Sequence, residues 1–180
     1  LNSPEFETFP SWSPDGKWLY FSSAKPAGEL PANNDKMKYS IFRVAFDENT
    51  ALLCYSVECV IDAEKSNKTQ LFARISPDGK YLLYTEADYG TFPIWHHEAD
   101  LKMMDLQTKE NLNVDILNSS SVESYHSWSS NGRWIVFSSR RIDGLYTRLY
   151  LAYFDEKGNF HKPFLLPQSS ADFDLLRMQS

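Results

Sequence analysis

Phe9-Pro10-Ser11-Trp12-Ser13-Pro14-Asp15-Gly16-Lys17-Trp18-Leu19-Tyr20-Phe21-Ser22-Ser23 is the first of three copies of one pattern. Phe72-Ala73-Arg74-Ile75-Ser76-Pro77-Asp78-Gly79-Lys80-Tyr81-Leu82-Leu83-Tyr84-Thr85-Glu86 and Tyr125-His126-Ser127-Trp128-Ser129-Ser130-Asn131-Gly132-Arg133-Trp134-Ile135-Val136-Phe137-Ser138-Ser139 align with it without gaps. The first and third copies are identical at eight of fifteen positions. Repetition of this kind means one supersecondary unit stacked on the next. Each copy has the chemistry of a hairpin. Pro14 presets φ, Asp15 favours a turn and Gly16 is free to take φ > 0. Pro77-Asp78-Gly79 repeats the device, and Asn131-Gly132 replaces it with the dipeptide best suited to tight hairpins. The strand after each turn is apolar on both faces: Trp18 to Phe21, Tyr81 to Tyr84, Trp134 to Phe137. Such a strand needs cover on both sides, which stacked blades of a propeller provide.

Two more strands follow each copy. Ile41 to Phe46, Leu101 to Leu106 and Leu149 to Phe154 read as third strands. Leu53 to Ile61, Asn113 to Leu117 and Lys162 to Leu166 read as outer, fourth strands. The expected architecture is therefore all-β: about three four-stranded blades, over residues 6–62, 69–118 and 122–167, with 169–180 as a tail. A short helix from Ala171 to Met178, capped by Ser170, is the main helical signal. Ser13, Ser76 and Ser129 lie 63 and 53 residues apart, longer than the roughly 40–45 residues of a common propeller blade. The excess falls in Ala24 to Lys38 and Ala87 to Glu98, and long loops on a rigid scaffold are where binding concentrates. Propellers close with four to eight blades, so about three blades in 180 residues should leave apolar blade faces open to a further set of blades or a partner chain.

Composition narrows the function classes. With 18 basic and 24 acidic residues, the formal charge is −6, against the basic excess that nucleic-acid binding demands. No run approaches the roughly 18 apolar residues of a membrane helix. Cys54 and Cys59 lie in a β-prone run, too far apart in an extended strand for a disulfide. Both are expected reduced and buried.

The Trp-Ser-Pro-Asp-Gly-Lys run, followed by an apolar strand and Ser-Ser, resembles the repeat of TolB-type β-propellers. The match is full in the first copy, whereas Ile75 stands for Trp in the second and Ser130-Asn131 for Pro-Asp in the third. Phe92 to Leu101, Glu123 to Ser130 and Lys162 to Gln168 resemble a subgroup of TolB-like six-bladed propeller proteins from Bacteroidetes. The resemblance implies the fold and an extracytoplasmic setting, periplasmic or cell-surface. TolB itself is a periplasmic protein–protein interaction module. Similar repeats occur in the propeller domains of prolyl oligopeptidases and in some polysaccharide lyases, so fold alone does not assign function.

Several residues stand outside the repeat and are candidates for binding. His96, His97, Glu98 and Asp100 are the densest set of metal-ligand types, although adjacent ligands on one segment rarely complete a site, and a surface or pocket-rim role is the alternative. Trp95 is the candidate ligand-facing aromatic, while Trp12, Trp18, Trp128 and Trp134 read as blade-packing core. His126 occupies a position held by Pro10 and Ala73 in the other copies. It either faces the channel, as a ligand contact or base, or is hydrogen-bonded between blades. Arg74, Arg140 and Arg141 suit carboxylate contact and either pair with acidic residues between blades or bind an anionic peptide terminus or glycan acid. No nucleophile elbow, Walker loop, dinucleotide fingerprint or haem-attachment motif is present in the sequence. The expected function is a non-catalytic binding or scaffolding module without cofactor. Its partner is another protein or further blades of the same protein, with a glycan or peptide as the alternative. The competing expectation is the propeller portion of a carbohydrate-active or peptide-cleaving enzyme with a His- and Arg-lined channel site.

Overall fold

The computed structural model describes residues 3–29 and 32–167, so the helix expected in the tail lies outside the described residues. Three four-stranded antiparallel sheets follow one another along the chain. The first contains β1 (Phe6–Trp12), β2 (Trp18–Ala24), β3 (Ser40–Asp47) and β4 (Leu52–Ile61). A short helix, α1 (Ala63–Ser66), leads into the second, made of β5 (Thr69–Ile75), β6 (Tyr81–Ala87), β7 (Asp100–Asp105) and β8 (Asn111–Leu112). The third has β9 (Glu123–Trp128), β10 (Trp134–Ser139), β11 (Arg148–Tyr153) and β12 (Phe164–Leu165). Every sheet is a meander in chain order, and the first strands β1, β5 and β9 lie beside one another. These are three blades radiating from a common axis.

The turn of each repeat explains residues that looked incidental. Ser13 Oγ donates to Asp15 Oδ1 at 2.6 Å and accepts from Trp18 N at 2.9 Å, while Asp15 Oδ1 also accepts from Lys17 N at 3.1 Å. Gly16 sits at φ +70, where a Cβ would be strained. Ser76 with Asp78 and Ser129 with Asn131 reproduce the network. The Ser before the turn is therefore as much a turn residue as the Gly. The Ser13 hydroxyl, then the Lys17 amide, holds the Asp15 carboxyl below its ordinary range.

Register puts alternate residues on opposite faces, and those faces build two interfaces. Tyr20 and Ile41 of the first blade pack with Ile75, Leu82, Tyr84 and Met104 of the second. Leu83, Leu101 and Met103, on the opposite face, pack with Ile135, Phe137, Tyr150 and Ala152 of the third. The middle blade is thus buried on both sides. Polar stitches add to the packing: Gln70 N donates to Tyr39 O at 2.7 Å, and Glu123 N to Ala99 O at 2.8 Å.

Three expectations need correction, and one element, α1, lies outside them all. Cys54 and Cys59 are free but exposed, because β4 is the outermost strand of its blade and lacks a neighbour along that edge. Asn113 to Leu117 is not a strand: Asn113 Oδ1 accepts from Asp115 N at 2.9 Å and starts a tight turn. That turn, Asp115–Leu117, helps drop Val114 and Leu117 into the core between the second and third blades. Helix α1 had no sequence forecast, and its signal was Asp62, whose carboxylate accepts from Glu64 N at 2.9 Å. Finally, Trp12 and Trp134 are not core. Trp12 is 51% exposed and Trp134 is exposed too, since each points away from the blades present.

Candidate binding site at the loop end

The second-to-third-strand loops of the three blades gather at one end of the molecule. In the middle blade this loop begins at Asp88. The Lys68 ammonium pairs with its carboxylate and the Lys38 ammonium donates to its carbonyl, tying the first blade's long loop to the second's. Gly90 N donates to Met37 O at 2.8 Å. Pro93–Trp95 then form a single 3-10 turn, in which Trp95 N donates to Phe92 O at 3.1 Å and His96 N to Pro93 O at 2.9 Å. Pro93 and Ile94 turn inward, while Phe92 and Trp95 are left exposed.

His96 and Glu98 do meet: Nδ1 lies 3.0 Å from Oε1, and Tyr89 packs edge-on against the imidazole. Glu98 Oε1 also accepts from Asp88 N at 3.2 Å. The pair therefore braces its own loop. Asp100 does not join them; its carboxylate lies 3.5 Å from Lys102 Nζ. Burial, opposed by Lys102, pushes its pKa up. Among the described residues no group of three or more His, Cys, Asp or Glu is placed to hold a metal ion. His97 is exposed, and its ring edge lies against the next blade's loop, 3.9 Å from where a Cβ on Gly144 would sit.

That next loop, residues 140–147, is held rigidly. Arg141 runs inward and donates to Glu123 Oε1 at 2.9 Å and to Leu117 O. Glu123 is fully buried and also accepts from Ser119 and Ser139 hydroxyls. Asp143 accepts from Tyr146 N at 2.9 Å, Leu145 N at 3.0 Å and Arg148 at 2.8 Å, and these bonds hold its carboxyl down at about 2. Arg140 behaves differently. Its guanidinium lies 4.7 Å over the Trp95 ring and its Nε donates to Thr147 Oγ1 at 3.1 Å.

Two sequence candidates lie nearer the axis. His126 is 6% exposed and faces the middle blade rather than the channel. Its Nε2 is 3.1 Å from Leu83 O, which can only accept, so Nε2 carries the proton and Nδ1 accepts from Thr85 Oγ1 at 3.4 Å. Burial pulls its pKa down to about 4, so it is a neutral hydrogen-bonding strut at ordinary pH. Arg74 is half-buried; its guanidinium donates to Ala73 O at 3.2 Å, and burial lowers its pKa. Its carbonyl accepts from Trp128 Nε1 at 3.3 Å.

An aromatic ladder along the first strands was not foreseen. Phe9 and Phe72 pack as tilted rings with centroids 4.3 Å apart, and Phe72 and Tyr125 do so at 4.7 Å. These three residues open the three repeat copies, so the signal was in the alignment. Each sits where its strand's pairing register shifts. Phe9 and Phe72 adopt φ +52 and +58, a strained left-handed conformation costing on the order of 1–3 kcal/mol each. The bulge turns the ring along the axis toward its neighbour, and Phe72 is further held by Met37, Tyr39 and Ala24.

No family model matches the chain, and no curated protein matches it. Solved structures do. TolB from Acinetobacter baumannii superposes with a TM-score of 0.57 at 20% identity, over 91% of this chain and 33% of that one. A putative TolB from Agrobacterium tumefaciens gives 0.57 at 18% identity, over 92% and 50%. The β-propeller domain of the Trilobed protease from Pyrococcus furiosus, described as having an open velcro topology, gives 0.52 at 15% identity, over 93% and 44%. The chain spans a third to a half of the length of these three structures. At these identities the likeness concerns architecture alone: this chain has the fold of part of a β-propeller.

Proposed function

We propose that the chain supplies three consecutive blades, over residues 6–62, 69–118 and 122–167, to a larger propeller that works as a non-catalytic binding scaffold of the bacterial periplasm or cell surface. One observation carries the reading: the two end faces match each other in the way the two buried interfaces do. The third blade's buried face presents Trp128 against Phe154 at 5.4 Å, and the first blade's open face presents Trp12 against Phe46 at 5.4 Å. Trp18 lies on the first blade's buried side, and its repeat equivalent Trp134 lies on the third blade's open side beside Tyr153 and Phe164. An incoming blade of the same class would find on each end the surface its kind already packs against. The scaffold role draws support from the resemblance of the repeats to TolB, and so does the extracytoplasmic setting.

Sedimentation analysis of the full chain, with 8-anilinonaphthalene-1-sulfonate as a probe of open apolar surface, tests this. Concentration-dependent association or strong dye binding is expected, and Trp12→Glu and Trp134→Glu should each weaken it. A monomer at all concentrations that binds no dye would overturn the proposal.

A further inference from the structure

The geometry points to a docking site for a protein segment at the loop end, built from two preformed turns of neighbouring blades. We infer that it takes an apolar side chain flanked by an Asp or Glu carboxylate. The first turn contributes Phe92 and Trp95, the second Ile142, Leu145 and Tyr146, all exposed, with Trp95 at 72% and Leu145 at 71%. The turns touch through Arg140 on Trp95 and His97 beside Gly144. Exposed Trp, Tyr and Arg in one patch are the composition of a binding hot spot.

Rigidity strengthens the case. The backbone that presents these side chains outward is pinned on both turns by side-chain hydrogen bonds and ion pairs. Asp143 and Arg148 fix the second turn, Arg141 is anchored on buried Glu123, and the Pro93 turn is braced by the His96–Glu98 pair. Binding to such a surface costs little ordering entropy.

Charge selects the partner. Arg141, Arg148, Lys68 and Lys102, on or beside these turns, each pair with a carboxylate of this chain. Arg140 has none among the described residues: its nearest acidic neighbour on the loop, Asp143, is taken by Arg148 and two backbone amides. The Trp95 ring holds its guanidinium plane in place, leaving the terminal nitrogens to a carboxylate from outside. A segment that lays an aliphatic or aromatic residue between Trp95 and Leu145 would bring an adjacent Asp or Glu to Arg140.

This inference rests on the scaffold reading only for its purpose, since the patch lies on loops and the ring-completing surfaces are blade faces. Its probe is a displayed library of random short peptides selected on the full chain. Fluorescein-labelled synthetic peptides from the winners follow, each compared with its Asp→Asn or Glu→Gln counterpart. Selected sequences should pair an apolar residue with an acidic one. The neutral counterparts should bind about 10-fold more weakly, as a charge-assisted bond implies. Trp95→Ala should weaken binding by about 30-fold or more. Arg140→Gln should erase the acid preference while part of the apolar binding remains. Leu145→Ser is a second variant at an exposed position, with circular dichroism as the folding control. Winners that bind Trp95→Ala and Arg140→Gln as well as the parent would overturn the site. So would winners lacking acidic residues, or an acidic oligosaccharide that binds there when peptides do not. Sedimentation should be unchanged in Trp95→Ala, whereas Trp12→Glu and Trp134→Glu should leave peptide binding intact, so loss of this site and loss of the ring-segment reading give different results.

Discussion

Trp128 and Trp12 hold the same position in their repeats and live in different worlds. Trp128 is half-buried, packed on Phe154 and Phe160, with its indole N–H bonded to Arg74 O of the neighbouring blade. Trp12 packs on Phe46 and is otherwise half in water. The local motif is the same; only the presence of a blade alongside differs. A repeat of this kind encodes half of an interface, and the stability of each blade depends on its neighbours. The middle blade, buried on both faces, has what the other two lack on one side.

The comparison can be broken first at its closed end. Phe137 is fully buried in the interface between the second and third blades, and Phe137→Ala should cost about 3–5 kcal/mol in urea unfolding. A cost near that of a surface change would mean the interface is not where the chain is held together.

The same interface carries a pH signature. Folded His126 holds a proton only below about 4, against 6.5 for the free imidazole. Between those values the unfolded state binds more protons, so stability should fall as pH drops from 6.5 toward 4, by up to about 3 kcal/mol in all. His126→Gln should flatten that part of the profile relative to the parent chain. An unchanged slope would show that the imidazole is not buried as described.

Next comes the Trp pair itself. Trp128→Ala should lower stability by about 2 kcal/mol, and Trp12→Ala by less than about 1 kcal/mol. Equal effects would mean that Trp12 is covered after all, for instance by a second copy. The smallest expected effect is Ser129→Ala, which removes the turn bonds to Asn131 and Trp134 and should cost about 1 kcal/mol. Ser13→Ala should match it, because the turn is local and indifferent to what covers the blade.

Much of the blade was legible in the sequence. Pro-Asp-Gly and Asn-Gly turns, doubly apolar second strands and the order of strands are local properties, written by residues close in the chain. The fourth strand of the middle blade was not. Asn113 and Asp115 form a turn whose purpose, seating Val114 and Leu117, appears only when the third blade is alongside. The cysteines misled for the converse reason, since an apolar run looks buried until one sees that no strand lies beyond it.

The candidate site divides the same way. That Trp95 stands outside the repeat beside a long loop, and that Arg140 and Arg141 follow the third copy, could be read from the sequence; that the two turns meet, with Arg140 on the Trp95 ring, could not. Which arginine is spent on an internal carboxylate could not be read, because Glu123 is remote from the loop in sequence until strands β9 and β10 pair. By itself the sequence determined the repeat, its turns and the blade's two apolar faces, since these depend on contacts within a few residues. Only the tertiary structure decided which faces are covered, that His126 is locked between blades, and that Arg140 rather than Arg141 faces outward. Burial and charge pairing are properties of what the fold brings alongside, and no local pattern contains them.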